Sequence, residues 1–140
     1  MVRLEAARWI THGESSAPVL LCRQPLSLWG GIDPETGRII DHRHDRFGET
    51  VIGNILAIPS EKGSSTGSAV LLELLRTGKA PAAIITCHPS PILALGAIIA
   101  SELYDIRIPV LQLGEADFGT LQDGEALRID ADGAVFALDR

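Results

Sequence analysis

The sequence is poor in cysteine, aromatic residues and positive charge. It has two cysteines, two tryptophans, one tyrosine and three phenylalanines among 140 residues. Two isolated cysteines without a CxxC motif exclude a disulfide framework, so we expect Cys22 and Cys87 to be reduced and buried as small hydrophobes. The formal net charge of −6 argues against a nucleic-acid or anionic-membrane surface. The scarcity of aromatic residues predicts an aliphatic core.

Long hydrophobic runs are also missing. No apolar run reaches the roughly 18 residues that a membrane span requires. The N-terminal stretch MVRLEAARWITHGESS lacks the hydrophobic region of a signal peptide. We therefore expect a cytoplasmic protein without a membrane partner.

What is present predicts one α/β domain over residues 1–140. Apolar periodicity and turn residues predict a parallel βαβαβ portion, with an antiparallel hairpin around Asp132-Gly133. We expect a turn at 33–37, a brief strand at 38–41 and a polar loop at 42–50. The main predicted elements are strands at Ala17–Cys22, Val51–Pro59, Pro81–Thr86 and Arg107–Leu113, and helices at Ala69–Arg76 (ending before Gly78) and Pro91–Tyr104.

The stretch Gly63-Ser64-Ser65-Thr66-Gly67-Ser68 lies where a predicted strand gives way to a helix. Three hypotheses account for it. One of Ser64, Ser65 or Thr66 could cap the helix, because hydroxyl oxygens accept its unpaired N–H groups. The helix N-terminus could bind a carboxylate or a phosphate, with the glycines allowing close approach to the backbone.

The third hypothesis is a hydrolase nucleophile, because Gly63 to Gly67 match the GxSxG pattern around Ser65. That chemistry needs an acid and then a histidine later in the chain. His88 is the only later histidine, and Glu73 is the only carboxylate between them. The chain is also short for this fold, which weakens the hydrolase hypothesis.

Other side chains could carry chemistry. His42 and His44 form an HxH pair, which on a strand could bind a metal, although we expect a solvated loop without a third ligand. Cys87 and His88 follow a core strand and could line a cleft or cap the next helix. The Trp29-Gly30-Gly31 stretch indicates close backbone approach to a partner chain or a substrate.

Four stretches in this order resemble one family: PLSLWGGIDPETGRIID, GSSTGSAVLLELL, GKAPAAIIT and PILALGAIIASELY. The chain, from about Ala17 to Phe136, resembles the small subunit of aconitase X. The resemblance implies a swivelling β/β/α domain. It also implies docking on a large subunit that holds an iron or iron–sulfur centre and most of the substrate pocket.

The resemblance also implies residue roles. It assigns Ser64 as the catalytic base and places Gly63, Ser65, Thr66, Gly67, Gly30 and Gly31 around a small hydroxy-carboxylate substrate, with no metal ligand in this chain. Aconitase has an arginine after its two serines, where this chain has Thr66, so the substrate carboxylate must be bound elsewhere. The family commonly has Gly-Arg before the turn. Glu61-Lys62 stands there in this chain, so only the basic residue is kept.

The expected function is therefore that of a hydro-lyase subunit. Alanine- and arginine-rich ends favour dehydration of cis-3-hydroxy-L-proline to a pyrroline carboxylate, with mevalonate 5-phosphate dehydration as the alternative. A stand-alone module that binds a small anion is the alternative from another class.

Overall fold

The structure is a computed structural model that describes residues 1–140. Strands and helices alternate through its middle, and further strands stand at both ends. The elements are β1 (Val2–Leu4), β2 (Ala6–Thr11), β3 (Ser15–Leu21), α1 (Leu28–Gly31), β4 (Ile55–Ile58), α2 (Gly67–Arg76), β5 (Ala83–Thr86), α3 (Pro91–Tyr104), β6 (Val110–Leu113), α4 (Glu115–Gly119), β7 (Ala126–Ile129) and β8 (Val135–Ala137). None of the four helices has the length and apolarity that crossing a bilayer requires.

One eight-stranded sheet runs in the order β1-β8-β7-β3-β4-β5-β6-β2. Strands β3, β4, β5 and β6 are parallel neighbours, and α2 and α3 connect β4 to β5 and β5 to β6. The predicted βαβαβ portion is therefore confirmed. The predicted hairpin is also confirmed, because β7 pairs with β8 in antiparallel register and Gly133 turns with φ +98°.

The sequence did not predict β1 and β2, which form the two ends of the strand order. Only Glu5 separates these two strands in the chain. Strands joined by a single residue cannot lie a full sheet width apart, so the sheet curls until its ends meet. The curled sheet and its helices give the β/β/α layering that the family resemblance implies.

Two apolar cores result. One lies between α2, α3 and the parallel strands, and includes Leu56, Leu71, Ile84 and Leu93. The other lies inside the curled sheet, where the antiparallel strands cover the opposite face of the parallel ones, and includes Ile55, Ile85, Leu127 and Val135. Both cores are aliphatic, as expected from the shortage of aromatic residues.

Four predicted strands are shorter in the structure, and β5 and β6 begin at Ala83 and Val110 instead of at Pro81 and Arg107. Strand β4 begins at Ile55, not at Val51, because residues 51–54 form a turn in which Gly53 has φ +76°. The Asn54 side chain donates to the Thr50 carbonyl at 2.9 Å and holds this turn. The brief strand predicted at 38–41 is reduced to isolated bridges of Arg38 with Thr50 and Ile39 with Ile32.

The 42–50 loop is polar, but its description as solvated is wrong for His44. This residue is 5 % exposed. Its Nδ1 accepts from the Arg46 N–H at 3.0 Å, and its Nε2 lies 3.2 Å from the Gln24 carbonyl. An Nδ1 that accepts leaves Nε2 as the donor, so His44 ties this loop to the segment after β3.

Candidate functional site

The glycine–serine turn lies at the carboxyl edge of the parallel strands, where loops of α/β folds carry ligand sites. It joins the end of β4 to the start of α2. The segment that follows β3 runs beside it, with Leu26 and Glu61 paired as a parallel bridge. The Lys62 N–H donates to the Leu26 carbonyl at 3.2 Å, and the Leu26 N–H donates to the Ser60 carbonyl at 3.3 Å. The turn is therefore held by main-chain hydrogen bonds up to the residue before Gly63.

The backbone at Gly63 has a conformation and a close neighbour that only glycine accommodates without strain. Its φ is +84°, in the left-handed region that L side chains rarely adopt. A Cβ there would lie 2.8 Å from the Ser27 Oγ. Backbone conformation and the close neighbour together explain the first glycine of the turn.

The Ser64 side chain bonds the backbone two residues further on, just before α2 begins. Its Oγ accepts from the Thr66 N–H at 3.1 Å, and its carbonyl accepts from the Gly67 N–H at 3.0 Å. Thr66, which directly precedes α2, makes no side-chain capping bond. Of the three hydroxyls, that of Ser64 is therefore the one that bonds a backbone N–H at the start of α2.

The turn has more hydrogen-bond donors than it uses. The N–H groups of Gly63, Ser64 and Ser65 make no hydrogen bond in the protein, and the hydroxyls of Ser65 and Thr66 have no partner. The Lys62 side chain is exposed and forms no ion pair. Such a concentration of unpaired donors and positive charge at the start of a helix suits an anionic ligand.

The SLWGG stretch lies next to this turn. It forms α1, which is not a regular helix, because Trp29 has ψ 117° and Gly30 has φ +78°. A Cβ on Gly67 would lie 3.9 Å from the Trp29 N, so the two glycine-rich stretches share one face. The Trp29 side chain is 59 % exposed there.

The glycines of these two stretches differ in burial and in the space around them. Gly31 is buried, and a Cβ there would meet the Leu26 Cδ1 at 3.1 Å. Gly67 is also buried, with the Ile92 Cγ2 at 3.4 Å from such an atom. Gly30 is exposed with open space around it. Substrate contacts of these glycines stay a prediction.

The residues of the hydrolase hypothesis do not form a triad. Ser65 Oγ makes no hydrogen bond to a histidine, and the exposed His88 ring makes no hydrogen bond, so His88 bonds through its backbone alone. Glu73 instead accepts from Arg76 at 2.6 and 3.0 Å, and this hydrogen bond lowers the pKa of the Glu73 carboxyl. The geometry gives Ser65 no general base.

The cysteines and the HxH pair do not form a metal site. No three His, Cys, Asp or Glu side chains come close enough together to hold a metal ion. His42 stacks on Phe47 at 4.3 Å, away from the buried His44. Burial raises the pKa of the Cys22 thiol to about 12. Cys87 is only half-buried, contrary to expectation, and partial burial followed by the Glu115 carboxylate raises the pKa of its thiol.

Sequence reasoning missed Glu61, which the structure places at the N-terminus of α3. Its carboxylate accepts from the Ile92 N–H at 2.8 Å and from the Leu93 N–H at 2.7 Å. In the sequence this residue was only a departure from the family pattern. No local signal could have revealed its role, because its partners lie 31 and 32 residues further along the chain.

The model of the aconitase X swivel domain family matches residues 5–137. The chain is 40 % identical over 144 aligned positions to a cis-3-hydroxy-L-proline dehydratase from Hypocrea jecorina, covering 91 % of this chain and 24 % of that protein. It is 41 % identical to the phosphomevalonate dehydratase small subunit of Methanothermobacter thermautotrophicus, covering 89 % and 92 % respectively.

A solved structure agrees in fold. The crystal structure of Thermococcus kodakaraensis aconitase X in its holo-form superposes with a TM-score of 0.88 at 38 % identity, covering 99 % of this chain and 100 % of the matched chain. The present chain spans only about a quarter of the length of the Hypocrea jecorina relative. The match to that relative therefore concerns one part of a longer protein.

Proposed function

Because this chain belongs to the aconitase X swivel domain family, we propose that it is the small subunit of a hydro-lyase that dehydrates cis-3-hydroxy-L-proline to a pyrroline-2-carboxylate. Mevalonate 5-phosphate is the alternative substrate. Relatives named for each reaction match at similar identity, 40 % and 41 %. Both substrates carry a carboxylate and a hydroxyl group to be eliminated.

The observation that carries the proposal is the hydrogen bond from the Thr66 N–H to the Ser64 Oγ at 3.1 Å. Elimination next to a carboxylate needs a positioned base that removes a proton from carbon. A serine hydroxyl is a weak base, and its alkoxide needs stabilisation. A backbone N–H donated to the oxygen favours its charged form, as does the N-terminus of α2. In this proposal the Ser64 Oγ takes the proton.

The unpaired hydrogen-bond donors of the turn are proposed to bind the substrate carboxylate. The substrate carboxylate must be held while the proton leaves, because catalysis depends on orientation of the reacting atoms. The N–H groups of Gly63 and Ser65, the Thr66 hydroxyl and the Lys62 ammonium are free to hold it. Thr66 replaces the arginine of aconitase with a neutral donor, so Lys62 supplies the only positive side-chain charge in this turn.

The proposal needs a partner. The side chains of this chain do not fit an iron or iron–sulfur centre, because no three potential ligands gather at one place. We therefore propose that the large subunit holds that centre and most of the substrate pocket, and that the complex works in the cytoplasm.

Reconstitution tests the proposed function. We expect the purified chain alone to turn over neither substrate and to bind no stoichiometric iron. Co-expression with an aconitase X large subunit should give dehydratase activity on cis-3-hydroxy-L-proline, or on mevalonate 5-phosphate for the alternative. An active isolated chain would contradict the subunit assignment. A silent complex, together with phosphate or carboxylate binding by the chain alone, would favour the anion-binding module.

Trp29 tests where the large subunit docks. An exposed tryptophan beside the site is the kind of residue that dominates interface energies. We expect Trp29→Ala to weaken assembly by about 2 kcal/mol or more, measured by calorimetric titration of the two subunits. Tyr104→Ala is the matched control. Tyr104 is also an exposed aromatic residue, at 49 %, but it lies at the C-terminal end of α3. Equal affinities of the two variants for the large subunit would show that the interface does not include Trp29 in α1.

A further inference from the structure

The N-terminus of α3 is capped from outside its own sequence. Pro91 at the first helical position has no N–H, and the Ala94 N–H donates to the Ser90 carbonyl at 3.0 Å. The two N–H groups between them, of Ile92 and Leu93, both donate to Glu61. One carboxylate thus satisfies every remaining unpaired N–H of the first turn, and its negative charge lies at the positive end of the helix dipole.

Ser90, the residue that would normally cap α3, is engaged elsewhere. Its Oγ accepts from the Glu61 N–H at 3.2 Å and donates to the His88 carbonyl at 3.1 Å. Glu61 is therefore bonded to the start of α3 through its backbone and through both carboxylate oxygens. With each oxygen accepting a backbone N–H, the Glu61 carboxylate is held in place at the start of α3.

The same helix also fixes the other side of the turn. A Cβ on Gly96 would lie 2.9 Å from the Ser68 carbonyl oxygen, so the backbones of α3 and the first turn of α2 are in close contact. The segment between Glu61 and Ser68 contains Gly63 and Ser64. It is thus anchored to α3 at both ends, by a charged hydrogen-bond pair and by a glycine contact.

We infer that Glu61 is a positioning residue for Ser64, an inference that rests on the proposed role of Ser64 as the base. Glu61 stands two residues before Gly63, whose left-handed φ directs the chain into Ser64. Loss of the carboxylate removes the tie between the turn and the first N–H groups of α3, while the main-chain bonds of Lys62 and Leu26 and the bond from the Thr66 N–H to Ser64 remain. The expected defect is therefore misplacement of the base without loss of the domain.

Two variants and a control test this inference in the reconstituted complex. We expect Glu61→Ala to lower kcat by about 10- to 100-fold with a much smaller change in KM, because small displacements of a reacting group cost that much. Glu61→Gln should restore part of kcat, since its one amide oxygen still accepts a helix N–H. Glu125→Ala is the control, because Glu125 also accepts a backbone N–H, at 2.6 Å from Gln122, and pairs with Arg140.

A spectroscopic readout separates this inference from the proposed function. In NMR spectra of the free chain, Glu61→Ala should shift the amide signals of Ile92, Leu93, Gly63 and Ser64, and Glu125→Ala should leave them unchanged. Unshifted Gly63 and Ser64 signals, or a Glu61→Ala kcat equal to that of Glu125→Ala, would overturn the positioning role. A wild-type complex without activity would refute the dehydratase proposal, and the NMR comparison would still decide the role of Glu61.

Discussion

Replacing Ser64 with alanine is expected to lower turnover of the reconstituted complex by about 10²- to 10⁴-fold, the contribution typical of a general acid–base group. The reason is that alanine removes the oxygen that takes the proton and leaves the surrounding donors in place. The carboxylate-holding groups at Gly63, Ser65 and Lys62 remain, so KM should change less than kcat. The measurement is steady-state kinetics on the favoured and the alternative substrate.

The same substitution has a predictable structural effect. Ser64→Ala removes the hydrogen bond to the Thr66 N–H, because that bond uses the Ser64 Oγ. Loss of a cap costs about 0.5–2 kcal/mol, which should lower the melting temperature while the subunits still assemble. The structure offers no second hydroxyl that already bonds this N–H, so the loss should be measurable.

Ser65→Ala is the matched control for this experiment. The Ser65 hydroxyl is adjacent, exposed and without a hydrogen bond in the protein. The base assignment predicts that Ser65→Ala keeps most of kcat, and the hydrolase hypothesis predicts the reverse order of effects. If Ser64→Ala retains more than about a tenth of wild-type activity, the loss is too small for a general base and Ser64 has another role.

The sequence could predict features that depend on neighbouring residues. The helix of residues 91–104 begins at a proline and is bounded as expected. The hairpin around Asp132-Gly133 and the turn at Gly63 follow from the backbone freedom of glycine. The two glycines of the serine-rich turn also interrupt the apolar pattern, so the sequence could place this turn between β4 and α2.

Features that depend on distant partners could not be predicted. From the sequence alone, Glu61 is expected to be an exposed charged residue. Its partners are 31 and 32 residues away and come close to it only in the folded chain. His44 sits in a polar stretch, and its burial follows from contacts with Gln24 and Arg46. Strand β1 is only three residues long and β2 lacks a regular alternation of apolar and polar residues, and both gain their partners only when the sheet curls.

Gly63→Ala is expected to have the second large effect on activity, because two separate constraints meet at this residue. The positive φ costs an alanine about 1–2 kcal/mol. The new Cβ would also lie 2.8 Å from the Ser27 Oγ, which itself donates to the Trp29 carbonyl at 2.9 Å. Either Ser27 gives up that bond or the turn moves away from α1. A shift of the turn displaces Ser64, and we expect kcat/KM to fall by about 10²-fold.

Gly78→Ala separates these two constraints. Gly78 has φ +73°, close to the value at Gly63, but a Cβ there would meet no atom within 4 Å. Both substitutions should therefore lower the free energy of unfolding through backbone strain, and only Gly63→Ala should reduce kcat/KM. The double variant Gly63→Ala/Ser27→Ala removes the 2.8 Å contact with the Oγ, leaves a looser 3.2 Å contact with the Cβ of residue 27 and retains the strain, so activity should recover in part. If Gly63→Ala and Gly78→Ala lose stability equally and both keep full activity, the position of this turn does not control the reaction, and the proton must be taken by a group outside it.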